Sequence, residues 1–261
     1  MKYGICTLAL VPLRLEQAHR SEMVSQVLFG ELFEILNEQP EWTYIRMLDT
    51  SYMGWIQNGQ FTQLHQETMD GYLKGKPHLV GREGGLLYNA SKQFSLCHGT
   101  KLYLTKRDKC SVAGMELDYQ GSVNPFSRGM FQSEVVNLAR SYQDAPYLWG
   151  GRSQWGIDCS GFSQLIYGCF DISLPRDAYQ QAEIGMTVDF ISEIKAGDLA
   201  FFDNADGRIT HVGIMLDSDT IIHASAKVRV DRMDSEGIFN GELNRYSHKL
   251  RIIKRYHETG P

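Results

Sequence analysis

The stretch Asp158-Cys159-Ser160-Gly161-Phe162 decides the fold of the C-terminal half of the chain, because it opens a helix with a thiol at its start. Apolar residues follow at i, i+3, i+4 and i+7, at Phe162, Leu165, Ile166 and Cys169. This spacing is typical of a helix that packs one face on a core. The sequence therefore predicts an amphipathic helix from Asp158 onward, with Asp158 or Ser160 as its cap.

The segments around this helix extend the pattern. Apolar residues between Phe131 and Ala139 recur at helical spacing and predict an earlier helix. Three β-rich runs follow, at 198–202, 210–216 and 221–224. Helices followed by an antiparallel sheet indicate an α+β domain, which we place at 126–261.

The N-terminal half carries strand signals instead. Short β-rich runs alternate with turn residues, at 26–30, 32–36, 42–47 and 54–56. A second set begins after Gly71, with candidates at 86–88, 101–104 and 111–116. Short strands at such spacing predict two small β-barrels, over residues 1–65 and 66–125.

Composition narrows the class of protein. The 261 residues carry a formal net charge of −5, which argues against a nucleic-acid partner. No apolar run reaches the roughly 20 residues that span a bilayer. The first residues do not resemble a secretory signal, which predicts a cytoplasmic protein, or a periplasmic or secreted one if a leader has been removed.

The five cysteines do not suggest a disulfide framework, because their number is odd and their spacing irregular. We expect Cys6, Cys97 and Cys169 to act as small buried apolar residues, and we assign no role to Cys110. Cys159 differs through its position. A thiol at a helix start is expected to have a lowered pKa, and the first backbone N–H groups can stabilise an oxyanion.

A thiolate nucleophile needs a base and a group that orients the base. His211 and His223 lie on two successive predicted strands joined by a turn at 217–220. A four-residue loop would place the rings on opposite faces, whereas an odd-length loop or a bulge would bring them together. The sequence leaves both registers open.

Other interpretations of the three residues exist. A cysteine at a helix start is commonly structural, and histidines on a hairpin are commonly at the surface. Cys159, His211 and His223 also form a possible zinc ligand set. Taken together, the three residues favour catalysis without a metal.

The chain resembles the NlpC/P60 family of papain-like cysteine peptidases over residues 126–255. Five segments carry the resemblance, at 146–151, 158–162, 197–202, 211–214 and 222–224. It implies that Cys159 is the nucleophile, His211 the base and His223 the orienting residue, with no cofactor. The two N-terminal barrels are similar to bacterial SH3 domains, on the basis of Gly54-Trp55-Ile56.

Three-domain chains of this kind resemble endopeptidases that cut murein peptides with a free N-terminal L-Ala. The expected bond joins γ-D-Glu to a diamino acid, and its hydrolysis releases L-Ala-γ-D-Glu in cell-wall turnover. The resemblance implies that Trp149, Asp158 and Ser160 line the dipeptide subsite. Arg176 would bind the D-Glu carboxylate and Asp177 the L-Ala ammonium, although both could instead form an exposed ion pair.

The same resemblance assigns Glu22 and Tyr52 of the first barrel to recognition of the free amine, the alternative being an ordinary barrel surface. Two other functions stay open. One is a non-catalytic protein that binds the cell wall. The other is a murein amidase of the related CHAP type, which needs no free amine.

Overall fold

A computed structural model describes residues 1–105 and 109–256 of the chain. The chain divides into two compact units, Met1–Pro125 and Phe126–Pro261, and each is described by itself. The predicted boundary between residues 65 and 66 lies inside the first unit and stays a prediction. Among the described residues, no helix is both long and apolar enough to cross a membrane.

The first unit opens with seven strands that form one antiparallel sheet. They are β1 (Lys2–Cys6), β2 (Leu10–Arg14), β3 (Met23–Leu28), β4 (Leu32–Glu38), β5 (Trp42–Met47), β6 (Met53–Gln57) and β7 (Phe61–Leu64). Their order in the sheet is β3-β2-β6-β5-β4-β1-β7. Alternating residues such as Phe33, Ile45 and Ile56 meet in a buried core, which is the period-two pattern of a half-buried strand.

A short helix and a second sheet complete this unit. They comprise α1 (Gln66–Lys74), β8 (His78–Tyr88), β9 (Gln93–Leu96), β10 (Lys101–Leu102), β11 (Lys109–Val112) and β12 (Met115–Val123). The prediction of one strand over 111–116 was wrong. Ala113 and Gly114 have φ of 50° and 77°, so the chain turns there and β11 pairs with β12.

The second unit begins with its helices. It contains η1 (Arg128–Met130), α2 (Phe131–Arg140), the hairpin strands β13 (Arg152–Ser153) and β14 (Gly156–Ile157), α3 (Cys159–Gly168), α4 (Ala178–Ala182) and η2 (Ile191–Glu193). The helix predicted from Asp158 onward is confirmed as α3. Its apolar stripe is confirmed too, since Phe162 and Ile166 are fully buried.

A seven-stranded antiparallel sheet makes up the rest of this unit. Its strands are β15 (Met186–Thr187), β16 (Leu199–Asp203), β17 (Ile209–Met215), β18 (Thr220–Ser225), β19 (Lys227–Met233), β20 (Gly237–Asn240) and β21 (Arg245–Arg255). The order is β15-β21-β16-β17-β18-β19-β20, and β20 also pairs with β21. The strands from β16 to β21 therefore close into a six-stranded ring, and the predicted α+β organisation is confirmed.

Side-chain alternation gives this ring two apolar faces. On the outer face, Val212 and Ile214 share a buried cluster with Phe162 of α3. On the inner face, Met215 and Ile221 belong to a separate cluster. Because side chains alternate along a strand, the inner rows also contain the two histidines predicted to be catalytic.

Candidate active site

The start of α3 is fixed by its cap and by one glycine. Asp158 is extended, with φ −93° and ψ 178°, and its carboxylate accepts a hydrogen bond from Gly161 N at 2.7 Å, which is the geometry of a helix N-cap. A Cβ at Gly161 would lie 2.3 Å from the carbonyl oxygen of Gly151. Only glycine allows this approach, so the start of the helix is in close contact with the preceding loop, and Cys159 is its first residue.

Asp158 is also the centre of a buried polar network. Its Oδ2 accepts from Gly150 N at 2.8 Å. Arg176 donates from Nη2 to Oδ2 at 2.5 Å and from Nη1 to Oδ1 at 3.0 Å, and Nη1 also donates to Ser160 Oγ at 2.9 Å. Arg176 is 2% exposed, so the alternative of an exposed loop ion pair was wrong for this residue.

The sulfur of Cys159 lies against the backbone of β17. Its Sγ is 4.0 Å from the carbonyl oxygen of Thr210, and the backbone N–H of Val212 is a hydrogen-bond donor to it. The ladder between β17 and β18 ends at the pair Gly213–His223. The thiol therefore occupies the edge of β17 just beyond the hairpin, between the two residues that flank His211.

Burial controls the thiol. The pKa of Cys159 is raised to about 12, first by burial and then by the charge of Asp158, although the N–H of Val212, the charge of Arg176 and the N–H of Ser160 oppose the rise. The prediction of a lowered pKa was wrong, because desolvation of the thiolate exceeds the effect of the helix start. The five cysteines all lie in the described part of the chain, where each is a buried free thiol.

The register that the sequence left open brings the two histidines together. Leu216 N donates to Thr220 O at 2.8 Å, so the loop has an odd number of residues. His223 pairs with Gly213, and His211 lies two residues along on the same face. The His211 Nε2 and His223 Nδ1 atoms are 2.8 Å apart.

Both imidazoles are buried and neutral. Burial, followed by the neighbouring His223 and His248, holds the pKa of His211 well below its ordinary value. Burial also lowers the pKa of His223, and it outweighs the opposing hydrogen bond and charge of Asp231. A neutral imidazole can accept a proton, so His211 fits the role of a general base.

Sequence reasoning missed three residues around this pair. His223 Nε2 lies 3.0 Å from Asp231 Oδ2, and Arg229 binds that carboxylate with two nitrogens. His248 stacks on His211 with ring centroids 4.1 Å apart. Arg229 and Asp231 alternate along β19 as surface charges would, and His248 stands 25 residues beyond His223, so no local signal marks them.

A metal ion is the alternative use of such a cluster. Within residues 1–105 and 109–256, the group with suitable spacing is His211, His223 and His248, whose ligand atoms lie within 4.8 Å of one another. Cys159 is not part of it, so this is not the zinc ligand set considered from the sequence. The 2.8 Å contact between His211 and His223 has the length of a hydrogen bond, which fits a base with its orienting partner.

The remaining predicted residues have different surroundings. Trp149 is 59% exposed on the loop before α3. Asp177 precedes α4, and its N–H donates to Gln180 Oε1 at 3.2 Å. In the first unit, Glu22 is exposed between β2 and β3, and Tyr52 is partly buried against the core of the seven-stranded sheet. The substrate roles of all these residues, and of Arg176, stay predictions.

Comparisons with known proteins match two regions of the chain to known families. The family model described as NlpC/P60 family matches residues 144–244, and a bacterial dipeptidyl-peptidase SH3 domain matches residues 13–61. The second SH3-like barrel stays a prediction.

The chain is 31% identical to a gamma-D-glutamyl-L-lysine dipeptidyl-peptidase of Bacillus subtilis, over 77% of this chain and 71% of that protein. It is 27% identical to dipeptidyl-peptidase 6 of Lysinibacillus sphaericus, over 83% of this chain and 86% of that protein. A crystal structure of an NlpC/P60 family protein from Bacillus cereus has the same fold, with a TM-score of 0.80 and 20% identity over 97% of this chain and 99% of that one. On these findings, the chain belongs to the NlpC/P60 family of cysteine peptidases.

Proposed function

We propose that this protein hydrolyses the bond between γ-D-Glu and a diamino acid in murein peptides with a free N-terminal L-Ala, and releases L-Ala-γ-D-Glu. The observation that carries the proposal is the position of the Cys159 thiol against the backbone on both sides of His211. The hydrogen bond between His211 and His223 supplies the orienting partner.

The proposed reaction is acyl transfer through a thioester. The proton of Cys159 passes to His211 as the sulfur attacks the carbonyl carbon of γ-D-Glu. His211 then gives that proton to the departing amine of the diamino acid, and water hydrolyses the thioester. Backbone N–H groups at the start of α3 have no intrahelical partner, so they can donate to the oxyanion.

The substrate class is drawn from the relatives. Two proteins that align with more than three quarters of this chain are named gamma-D-glutamyl-L-lysine dipeptidyl-peptidase, and a third is named dipeptidyl-peptidase 6. A dipeptidyl-peptidase removes two residues from a free N-terminus. These names support release of a dipeptide by cleavage between γ-D-Glu and a diamino acid. L-Ala as the first residue of that dipeptide and a role in the recycling of wall fragments belong to the proposal through the resemblance.

The test is hydrolysis of L-Ala-γ-D-Glu-L-Lys, with its diaminopimelate analogue in parallel and products read by mass spectrometry. We expect the dipeptide and the free diamino acid from the unmodified chain, and neither from the C159A variant. A C169A variant is a matched control, because Cys169 is also buried but lies at the other end of α3.

The competing functions give different results in this assay. An N-acetylated tripeptide should resist cleavage if a free amine is required, whereas a CHAP-type amidase would not need the amine and would release peptide from the sugar junction. Binding of wall fragments without any turnover would support the non-catalytic alternative. Cleavage by C159A would contradict the proposed nucleophile.

A further inference from the structure

The hydrogen-bonded chain that begins at His211 continues past His223. The buried carboxylate of Asp231 meets His223 Nε2 at 3.0 Å. Arg229 donates to both of its oxygens, from Nε at 2.6 Å and from Nη2 at 2.9 Å. The register of β18 on β19 sets this arrangement, because it pairs His223 with Arg229 and Ile221 with Asp231.

The protons in this series of hydrogen bonds can be assigned by starting from Arg229 and Asp231. Arginine is always protonated and can only donate. Burial would raise the pKa of Asp231, but the hydrogen bonds from His223 and Arg229 outweigh it and lower the pKa. The carboxylate is therefore ionised and can only accept.

The two rings follow from that starting point. Because Asp231 only accepts, the shared proton at 3.0 Å belongs to His223 Nε2. His223 is neutral, so its Nδ1 is the bare nitrogen and accepts from His211 Nε2 at 2.8 Å. His211 is neutral as well, which leaves its Nδ1 without a proton.

We propose that Asp231, held by Arg229, is a positioning residue that sets the tautomer of both histidines, so that Nδ1 of His211 is the nitrogen that accepts the thiol proton. The proposal rests on the proposed role of His211 as the base. Without Asp231, His223 can adopt the other tautomer and donate from Nδ1. His211 would then carry its proton on Nδ1 and be unable to act as a base there.

Other charged and titratable groups lie next to this series of hydrogen bonds. His248 stacks on His211 and is neutral, because its pKa is lowered to about 4, first by burial and then by His223, although Asp231 opposes the fall. Glu242 contacts the outer nitrogen of Arg229 at 2.9 Å, with 72% of its side chain exposed. Glu242→Gln therefore removes a charge next to Arg229, while Asp231 keeps both of its hydrogen bonds from Arg229.

The first experiment reads the tautomer directly, by ¹⁵N NMR of the unmodified protein labelled at histidine. Signals of His211 are assigned by their loss in His211→Gln. We expect a protonated Nε2 and a bare Nδ1. A protonated Nδ1 on His211 in the unmodified protein would overturn the proposal, whether or not any substrate is cleaved.

The second experiment compares variants. Asp231→Ala should mix or reverse the tautomer of His211 and lower kcat by about 10²-fold with little change in KM. The fall should be smaller than the roughly 10⁴-fold seen for a carboxylate bonded directly to a general base, because Asp231 acts through a second ring. Glu242→Gln should match the unmodified enzyme in both readouts.

Two outcomes of the variant experiment are decisive. A folded Asp231→Ala protein with an unchanged tautomer and unchanged kcat overturns the proposal. Inactivity of the unmodified enzyme on every murein peptide counts against the proposed function instead, and the tautomer measurement still stands. If Asp231→Ala does not fold, the spectrum of the unmodified protein decides alone.

Discussion

Replacing Arg176 with Met is expected to destabilise the start of α3 by about 3 kcal/mol, because it leaves the carboxylate of Asp158 buried without its guanidinium partner. Arg176 and Asp158 side chains are only 3% and 8% exposed. Removing one partner of a buried ion pair typically costs about 3–5 kcal/mol. The lower end applies here, since Asp158 keeps the backbone donors of Gly150 and Gly161.

The measurement is hydrogen-exchange mass spectrometry on peptides that cover residues 159–168. A loss of about 3 kcal/mol corresponds to roughly 10²-fold faster exchange through local opening. The Asp158→Asn/Arg176→Met double variant should lose less than the sum of the single variants, because it no longer buries an unpaired charge.

A matched control removes an exposed ion pair. Lys227 and Asp144 lie 2.6 Å apart with side chains 49% and 63% exposed, and such pairs contribute little, so Lys227→Met should leave exchange in α3 unchanged. Equal exchange in Arg176→Met and Lys227→Met would refute the argument. Strict additivity of the Asp158 and Arg176 substitutions would refute it as well.

Two further predictions concern the hairpin and the thiol. Gly213→Ala places a Cβ 2.6 Å from Ile221 Cδ1, so we expect the free energy of unfolding in urea to fall by about 1–3 kcal/mol and kcat to fall as well. Gly168 has open space around it, so Gly168→Ala should lose neither stability nor activity. A fully active and stable Gly213→Ala protein would contradict the packing argument. The pKa of Cys159 is raised to about 12 and that of His211 is held well below 6.5, so the thiolate fraction grows as pH rises. Alkylation of Cys159 by iodoacetamide should therefore accelerate about tenfold per pH unit from pH 6 to 9. A plateau over that range would instead indicate a thiolate–imidazolium pair.

The sequence predicted the parts of the fold that local patterns encode. The amphipathic stripe after Cys159 and the β-rich run at 42–47 are such patterns, and both are confirmed, the latter as β5. The ring closure of β20 on β21 was not predicted, because it depends on register between strands distant in the chain. The turn at Ala113–Gly114 was missed because an alanine with positive φ gives no local signal.

The candidate active site also combines features that local sequence patterns predict with features that depend on the fold. The spacing of His211 and His223 predicted a hairpin, but their shared face depended on loop length, which only the structure decides. The substrate role of Arg176 stays a prediction, but its buried ion pair with Asp158, to which both terminal nitrogens donate, was not predicted. The thiol was expected to be acidic because only the helix start was considered, and burial, which has the opposite effect, cannot be read from a short motif.

Burial of the thiol and the position of Asp231 are linked. In a thiolate–imidazolium pair, both nitrogens of the base carry protons, so the resting enzyme has no tautomer to choose. Here burial raises the pKa of Cys159 and lowers that of His211, so the resting pair is neutral and His211 has two possible tautomers, of which one is competent. A carboxylate that selects between them therefore matters most when the pair is neutral. It follows that the alkylation profile and the Asp231→Ala variant should agree: a steady rise with pH should accompany a large loss of kcat, whereas a plateau should accompany a small one.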